Sequence, residues 1–279
     1  GASGTRGPIL ATALVAAEGR LEADLVEPIF AGRRRPHGHL LPQTLSAHGG
    51  LFDAPRLAYA RILRIAVHPA ARRRGFGRRL VGAVRQRARA DGLDLVGASF
   101  GATSDLLAFW RHCGLEPVHI GSRRHAASGA HAAVVLSPVS RSGETLFAEA
   151  RLRLLPRLAV LLGGPLRDLE PPIVAALLAG APGTEPDLEM TEERELIAFA
   201  TASRGLESVL PALQCLARSR LSAALVGGRL EADQAAALIL CVLQQHDPVT
   251  ASRRLGLGGK AVTLRLLRRA AAALLAGAG

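Results

Sequence analysis

The spacing of apolar residues changes near residue 142, and this change limits the possible folds more than any other feature of the chain. Before it, short alternating or β-branched runs such as Arg61 to Val67 are interleaved with stretches whose apolar residues recur every three or four positions. Alternation indicates strands and the longer period indicates helices. After it, only the helical spacing recurs, interrupted by glycine and proline clusters. The sequence therefore predicts an α/β domain over residues 1–141 and an all-α helical domain over residues 142–279.

Turn residues delimit the predicted elements. His68-Pro69 ends one strand, because the residue before a proline is biased away from helix, and Asp91-Gly92 closes the helix that follows. In the first half, the predicted strands are 9–17, 61–67, 93–100 and 131–136, and the predicted helices are 22–31, 40–48, the segment from the Gly75/Gly77 turn to Asp91, and 105–113. In the second half, the predicted helices are 144–162, 171–178, 191–203, 206–220, 231–244, 250–255 and 260–275.

The net charge of +12 is concentrated in the first half of the chain. Residues 1–141 hold 20 Arg against 9 Asp and Glu, whereas residues 142–279 hold 15 Arg and Lys against 14 acids. A local excess of this kind favours an anionic partner, although a solvated basic surface is the simpler alternative. The basic segments that could contact RNA are Arg33 to Arg35, Arg123-Arg124, and the acid-free stretch after Asp247, where Thr250 to Arg269 resembles a helix-turn-helix in its spacing.

Apolar stretches and cysteines indicate the compartment. Charged residues interrupt every apolar stretch before it reaches the roughly 18 to 20 residues of a membrane span, so a soluble protein is expected. Three scattered cysteines do not form a disulfide framework, which is typical of a reducing, cytoplasmic setting. The histidines match no metal-ligand spacing, since His37-x-His39 is too short a pair without partners, and no metal site is predicted.

The segment Arg72-Arg73-Arg74-Gly75-Phe76-Gly77 joins a predicted strand to a predicted helix. Glycines allow close approach of the backbone, N–H groups at a helix start point at an anion, and arginines add charge-assisted hydrogen bonds. By itself the segment is a weak signal, and an ordinary strand-to-helix turn explains it more simply. The third glycine of a dinucleotide-binding fingerprint is absent, and no Walker A sequence occurs anywhere, so the chain contains no predicted ATP site.

The loop resembles the acetyl-CoA loop of the GNAT N-acetyltransferase family, whose pattern Gln/Arg-x-x-Gly-x-Gly/Ala is met by Arg72, Gly75 and Gly77. The preceding Arg64 to Pro69 is similar to the central strand of that family. The resemblance implies an α/β GNAT fold in which two parallel strands splay apart, here between Ile65 to Val67 and Leu93 to Phe100. It also implies acetyl-CoA as the acyl donor.

Three further segments, Gly32 to Gly49, Ser99 to Thr103 and Phe109 to Gly114, resemble the bacterial tRNA(Met) cytidine acetyltransferases. This resemblance implies acetyl transfer to the exocyclic amine of cytidine at the wobble position of elongator tRNA(Met), with a helical tail that binds tRNA. The family uses ATP through an N-terminal helicase-like module that the sequence does not match, so either a fragment or a shortened form is expected. The alternatives are a GNAT enzyme acting on a protein or small-molecule amine, and a non-catalytic RNA-binding module.

Site residues follow from the family resemblance at matched positions only. The implied contacts of acetyl-CoA are Ile65, Ala66, Val67, Arg72, Arg73, Arg74, Gly75, Phe76, Gly77, Arg78, Asp105 and His112. The chain departs from the family at four of them: Arg72 stands for a glutamine, Arg74 for an acid, Asp105 for a longer acid and His112 for an arginine, which Arg111 could replace. These differences make the implied pocket more basic.

The implied reaction needs positioning and one proton acceptor. The exocyclic amine of cytosine is uncharged at neutral pH, so alignment with the thioester should dominate, and backbone N–H groups near Val67 could stabilise the oxyanion. A base must still accept a proton, and His68 and His131 are the candidates because imidazole titrates near neutrality. Each could instead be a capping or packed residue. Cys113 and Trp110 are predicted to be core residues rather than a nucleophile and a stacking platform.

Overall fold

The computed structural model describes residues 9–126, 129–180 and 185–276. The chain forms two compact units, Gly1–Arg151 and Leu152–Gly279. The first contains a sheet with helices, and the second is built from helices.

The first unit is organised around a five-stranded mixed sheet with the order β1-β2-β3-β5-β4. Only the central pair β2 and β3 is parallel, and the other three pairs are antiparallel. The strands are β1 (Ala11–Gly19), β2 (Ala58–Val67), β3 (Leu95–Gly101), β4 (Glu116–Arg124) and β5 (His131–Pro138). The helices are α1 (Ala23–Phe30), α2 (Leu40–Gln43), α3 (Phe76–Ala90), α4 (Ser104–His112) and α5 (Arg141–Leu162), which contains the boundary between the units.

Alternation along the central strands gives the sheet an apolar core on each face. Tyr59 and Leu95 belong to one core with Leu41 and Leu45 from the segment after α1. Their neighbours in sequence, Ala60 and Val96, belong to the other core with Val81 of α3 and Trp110 of α4. The segment that contains α2 therefore covers one face of the sheet, and α3 and α4 cover the other.

Strands β2 and β3 pair only briefly and then separate. Their parallel ladder runs from Tyr59 with Leu95 to Arg61 with Gly97, and the rest of each strand pairs with its outer neighbour instead. A register shift between β1 and β2 leaves Leu63 of β2 without a partner in β1. Leu63 lies two residues after Arg61, the last residue of β2 that pairs with β3. Such a bulge bends a strand and increases its twist. The bulge thus lies where β2 turns away from β3.

A buried ion pair stabilises the first unit next to this separation point. The carboxylate of Glu18, which is 4% exposed, accepts from the Arg61 guanidinium at 2.9 Å and from the backbone N–H of Leu41 at 2.8 Å. Both carboxylate oxygens are satisfied, as a buried charge requires. One side chain of β1 therefore connects the last paired residue of β2 to the first turn of α2.

Two details of the first unit differ from the predictions. Strand β4 was missed, because Pro117, His119 and Gly121 interrupt its apolar pattern; it is an edge strand, where proline is tolerated. It is held by α5, whose buried Arg151 donates to the carbonyl oxygen of Pro117 at 2.8 Å. The helix predicted over 40–48 is a short α-helix that continues as a π-helical turn over Thr44–His48.

The second unit consists of helices that pack around its last helix. Besides the end of α5, they are α6 (Pro171–Leu178), α7 (Met190–Thr201), α8 (Leu206–Val226), α9 (Ala232–Leu238, continued by a π-helical turn over Ile239–Leu243), α10 (Pro248–Arg254) and α11 (Lys260–Leu275). Helix α11 contacts α7, α8, α9 and α10. Capping boxes begin α7 at Glu189 and α9 at Glu231. Across the described ranges no single helix has the length and apolar character of a membrane span; α7 and α8 together meet those criteria but are bent by 114°.

Replacement of Gly97 by alanine should destabilise the first unit by about 1–3 kcal/mol through overpacking. A Cβ at this position would lie 2.6 Å from Cδ2 of Leu136 and 2.9 Å from the Val135 carbonyl oxygen. Urea denaturation measures the free energy of unfolding. Gly82→Ala in α3 is the control, since its Cβ would meet nothing within 4 Å and alanine favours the helix. Equal effects of the two substitutions would contradict the packing argument.

Candidate functional site

The loop after β2 forms an uncapped helix start. From Val67 the chain passes through a 3-10 turn, Pro69–Ala71, and reaches α3 with Arg73 at φ 59° and Gly75 at φ 81°. Gly75 is the N-cap residue, has no side chain to accept from the first N–H groups, and no acid occupies the first turn. Because these N–H groups and the helix dipole favour negative charge, the loop is suited to an anion.

The charges around this helix start are uncompensated. Arg72, Arg73, Arg74 and Arg78 are all exposed, and none of them has an ion pair within the part of the chain that the structure describes. Arg74 stacks over the Phe76 ring, with its guanidinium carbon 5.8 Å from the ring centroid. Four unpaired guanidinium groups at one helix start fit a pyrophosphate.

Gly77 brings α4 against the same loop. A Cβ on Gly77 would lie 2.9 Å from the Phe109 ring and 3.8 Å from the Val67 side chain, so the missing side chain allows these contacts. Asp105 and His112 lie four residues before and three residues after Phe109, on the same face of α4. Both are exposed. Asp105 and His112, which the family resemblance implies as cofactor contacts, therefore lie on the same face of α4 as Phe109, which contacts the loop.

Ile65, Ala66 and Val67 lie on the part of β2 that has left β3. They pair with β1 through Ala13, Thr12 and Ala11, and β3 pairs with β2 no further than Arg61. Their backbone groups on the β3 side therefore face the gap between the strands. An extended acyl-amide chain can hydrogen-bond to such an open strand.

The two candidate bases differ in the nitrogen that carries the proton. Nδ1 of His131 lies 2.9 Å from the Gly121 carbonyl oxygen, and because a carbonyl only accepts, Nδ1 must donate and Nε2 keeps its lone pair in the neutral ring. Nδ1 of His68 accepts from the Ala70 N–H at 3.3 Å, which places the proton of the neutral ring on Nε2. His131 is buried and His68 is exposed.

The histidines stand at the ends of the two separated strands. His68 directly follows β2. The carbonyl oxygen of His131 accepts from the N–H of Ala102, which directly follows β3. Parallel strands end at the same edge of a sheet, so both imidazoles lie at the edge towards which the gap opens.

Cys113 and Trp110 are core residues of the first unit. Burial raises the pKa of the Cys113 thiol, an effect that the nearby Arg78 charge only partly offsets. A raised pKa disfavours the thiolate and therefore nucleophilic catalysis. The Trp110 ring is 4% exposed and packs at 5.1 Å from Phe109 and 5.9 Å from Phe100, measured between centroids.

Several arginines of the basic segments named above are engaged within their own units. Arg33 pairs with Glu27, and Arg254 pairs with Asp168 at 2.9 Å. Arg268 lies 5.0 Å from the Phe199 centroid and donates to the Phe199 carbonyl oxygen. The sequence offered only a weak signal for these pairs, because two of the three partners are more than 60 residues away. No group of three potential metal ligands is formed by the described residues.

The sequence model of the GNAT acetyltransferase 2 family matches residues 5–90 and 83–140. The first unit is a GNAT acetyltransferase domain. The predicted GNAT fold followed by a helical region is thereby confirmed, and a GNAT domain implies the use of acetyl-CoA.

Sequence similarity extends beyond the GNAT domain. The chain is 43% identical over 265 residues to the tRNA(Met) cytidine acetyltransferase TmcA of Nitrosococcus halophilus, which covers 95% of this chain and 36% of that protein. It is 38% identical to the TmcA of Salmonella typhimurium over 93% of this chain and 35% of that protein. The family relationship recognised from the sequence is confirmed, and the chain spans about a third of the length of these curated relatives.

A more distant likeness is found among solved structures. The polyamine N acetyltransferase of Drosophila melanogaster is 16% identical to this chain, with a TM-score of 0.32 over 46% of this chain and 69% of that chain.

Gly75→Glu should weaken acetyl-CoA binding by about tenfold to hundredfold, because it places a carboxylate where the loop is suited to a phosphate and removes charge-assisted hydrogen bonds. Isothermal titration calorimetry measures the Kd. Gly92→Glu, at the other end of α3, is a matched control: both glycines have positive φ, 81° and 64°, and open space around the Cβ position. Wild-type affinity in Gly75→Glu would mean that the cofactor binds elsewhere.

Proposed function

We propose that the chain transfers the acetyl group of acetyl-CoA to the exocyclic amine of a cytidine in tRNA, at the wobble position of elongator tRNA(Met). The observation that carries this proposal is the extent of the similarity to tRNA(Met) cytidine acetyltransferases. It covers 95% of the chain and so includes the helical unit, which an acetyltransferase for small amines has no reason to share. A tRNA substrate also suits the excess of arginine in the first half. Such a reaction would take place in the cytoplasm.

Acetyl-CoA would bind along the loop and the open strand. The pyrophosphate would lie on the N–H groups and guanidinium groups of Arg72, Arg73, Arg74, Gly75, Phe76, Gly77 and Arg78. The pantetheine and thioester would follow Ile65, Ala66 and Val67, whose β3 side is unpaired. The α4 stripe of Asp105 and His112 would flank the cofactor, because Phe109 between them contacts Gly77.

The chemistry requires the amine nitrogen to attack the thioester carbon and to lose a proton, while the C–S bond breaks and the thiolate of CoA leaves. Backbone N–H groups near Val67 would stabilise the oxyanion of the tetrahedral intermediate. His131 would take the proton of the amine on Nε2, since its Nδ1 is held by the Gly121 carbonyl. His68, whose neutral ring carries its hydrogen on Nε2, would donate a hydrogen bond to the leaving thiolate.

The helical unit would contact tRNA through α10 and α11. Lys260, Arg265 and Arg269 are exposed on α11, and Arg253 is exposed on α10. Arg254 and Arg268 are already engaged, Arg254 by the Asp168 carboxylate and Arg268 by the Phe199 ring. The remaining cations would bind phosphates and provide affinity without selecting one cytidine.

Incubation with radiolabelled acetyl-CoA should label elongator tRNA(Met) transcribed in vitro at a cytidine, detected as N-acetylcytidine after nuclease digestion. A panel of polyamines and basic peptides should remain unlabelled. The assay is run with and without ATP, and ATP should not change the rate of transfer because the chain contains no Walker A sequence. Label on amines and never on RNA would replace the proposal with a GNAT enzyme for amines. Salt-sensitive tRNA binding without acetyl-CoA affinity would indicate a non-catalytic RNA-binding module.

His131→Gln should lower kcat by about 100-fold to 10,000-fold, because glutamine can donate to Gly121 but cannot accept a proton. Its pH–rate profile should also lose the acidic limb. In His68→Gln the loss should be smaller and the acidic limb should persist. The KM for acetyl-CoA, measured in the same steady-state assays, should stay within about threefold of the wild type in both. The reverse pattern would make His68 the base.

A further inference from the structure

A cavity of about 370 Å³ opens in the first unit between the end of α1 and the segment that contains α2. Its wall includes Arg34, Arg35, His37 and His48, and its apolar part includes Leu40 and Ala47. None of the residues proposed to bind acetyl-CoA lines it. The volume falls in the range of small-ligand pockets, roughly 300–1,000 Å³.

The cavity wall is held in place by side-chain hydrogen bonds to the backbone. Glu18 accepts from the N–H of Leu41, and Nδ1 of His39 accepts from the N–H of Gly19 at 2.9 Å. The side-chain amide of Gln43 donates to the carbonyl oxygen of Pro36. These bonds tie the loop before α2 to the end of β1 and to α2 itself. The cavity is therefore largely preformed, which lowers the entropic cost of binding.

The charges in the wall are positive and uncompensated. No carboxylate lines the cavity, and both Arg34 and Arg35 are exposed without an ion pair in the described ranges. Their neighbour Arg33 differs, because it pairs with Glu27 and does not line the cavity. One run of three arginines thus contributes two cations to the cavity and one to an ion pair outside it.

Aromatic and apolar groups accompany these cations. The His48 ring stacks on the ring of His119 from β4, with centroids 6.5 Å apart and planes inclined by 20°. Leu40, which is 38% exposed, and Ala47 add apolar surface. Guanidinium groups beside flat rings and an apolar floor match the parts of a nucleotide: a phosphate, a base and a ribose.

We propose that this cavity binds a single unstacked nucleotide of an RNA, with Arg34 and Arg35 on its phosphate and the base beside His48 and the apolar floor. The identity of the RNA as a tRNA rests on the proposed function. The cavity admits one nucleotide and not a duplex, so it selects a loop or single-stranded region. The exposed cations of α11 can contact only phosphates. The cavity also offers a ring and an apolar surface, which can distinguish one base from another.

The test measures binding of a fluorescein-labelled RNA hairpin, carrying the anticodon loop of elongator tRNA(Met), by fluorescence anisotropy without acetyl-CoA. Arg34→Ala/Arg35→Ala should raise the Kd at least about tenfold and lower the slope of log Kd against log salt by about 0.7 to 0.9, the contribution of the one phosphate that both arginines are proposed to bind. The matched control is Arg33→Ala/Arg56→Ala, which removes two arginines that are paired with Glu27 and Asp53. Its Kd should change less than about threefold. Equal losses in the two double variants would overturn the proposal, because the arginines would then act only through the overall field.

A second variant removes space instead of charge. Ala47→Phe should fill the cavity and raise the Kd for the hairpin about tenfold, with the acetyl-CoA Kd and the melting temperature close to wild type. If Ala47→Phe does not fold, the hairpin Kd values of the two arginine double variants test the proposal. Unlabelled RNA should displace the labelled hairpin far better than polyglutamate of equal charge, and equal displacement would mean that the cavity recognises charge and not a nucleotide.

The outcomes separate this inference from the proposed function. If the wild type acetylates tRNA and the Arg34→Ala/Arg35→Ala variant binds the RNA hairpin with wild-type affinity, the cavity site alone is overturned. Wild-type protein that binds the hairpin through these arginines but never acetylates RNA would overturn the proposed function alone. Absence of hairpin binding by the wild type would overturn the cavity site.

Discussion

The separation of β2 from β3 after Arg61 and Gly97 is the constraint on which the rest of the first unit depends. A parallel pair normally satisfies its backbone groups along its whole length, and here the ladder stops after three residue pairs. The bulge at Leu63 turns β2 away, and the contacts of Gly97 with Leu41 and Leu136 leave no room for a side chain. The gap between the strands thus begins beside the bulge in β2, and it exposes the backbone beside which an acyl donor can lie.

The same constraint brings the ends of the two strands and the loop into one region. β2 leads directly into the 3-10 turn and the uncapped start of α3. There, Gly77 has no side chain, and the Phe109 ring of α4 packs against it. Backbone carbonyl and N–H groups then determine where each histidine carries its proton, through Gly121 for His131 and Ala70 for His68. The proposed roles, proton acceptor for His131 and hydrogen-bond donor for His68, therefore rest on backbone geometry and not on charged neighbours.

Arginine serves two purposes in this chain, and only the structure separates them. Arg61 satisfies a buried carboxylate, Arg151 anchors an edge strand, and Arg268 lies over a buried phenylalanine. By contrast, the loop arginines and the cavity pair Arg34 and Arg35 remain exposed without ion pairs in the described part of the chain. Arginine suits both purposes because its planar guanidinium stacks, donates in several directions and stays charged. The net charge of +12 is therefore an incomplete guide to the surface available for an anion.

Local sequence determined most of the elements, because hydrophobic period and turn residues act over short distances. The α/β half, the helical half, the glycine-bearing loop and the family relationship were all predicted from residues that lie close together in the chain. The residues proposed to hold acetyl-CoA remain predictions from that resemblance, although α4 does bring Asp105 and His112 onto the face that contacts the loop. Tertiary structure alone decided the presence of β4, the engagement of Arg33, Arg254 and Arg268 by partners of their own unit, and the cavity beside α2. Each of these depends on a partner that the local pattern does not encode, and a buried or paired group reveals its partner only when the chain is folded.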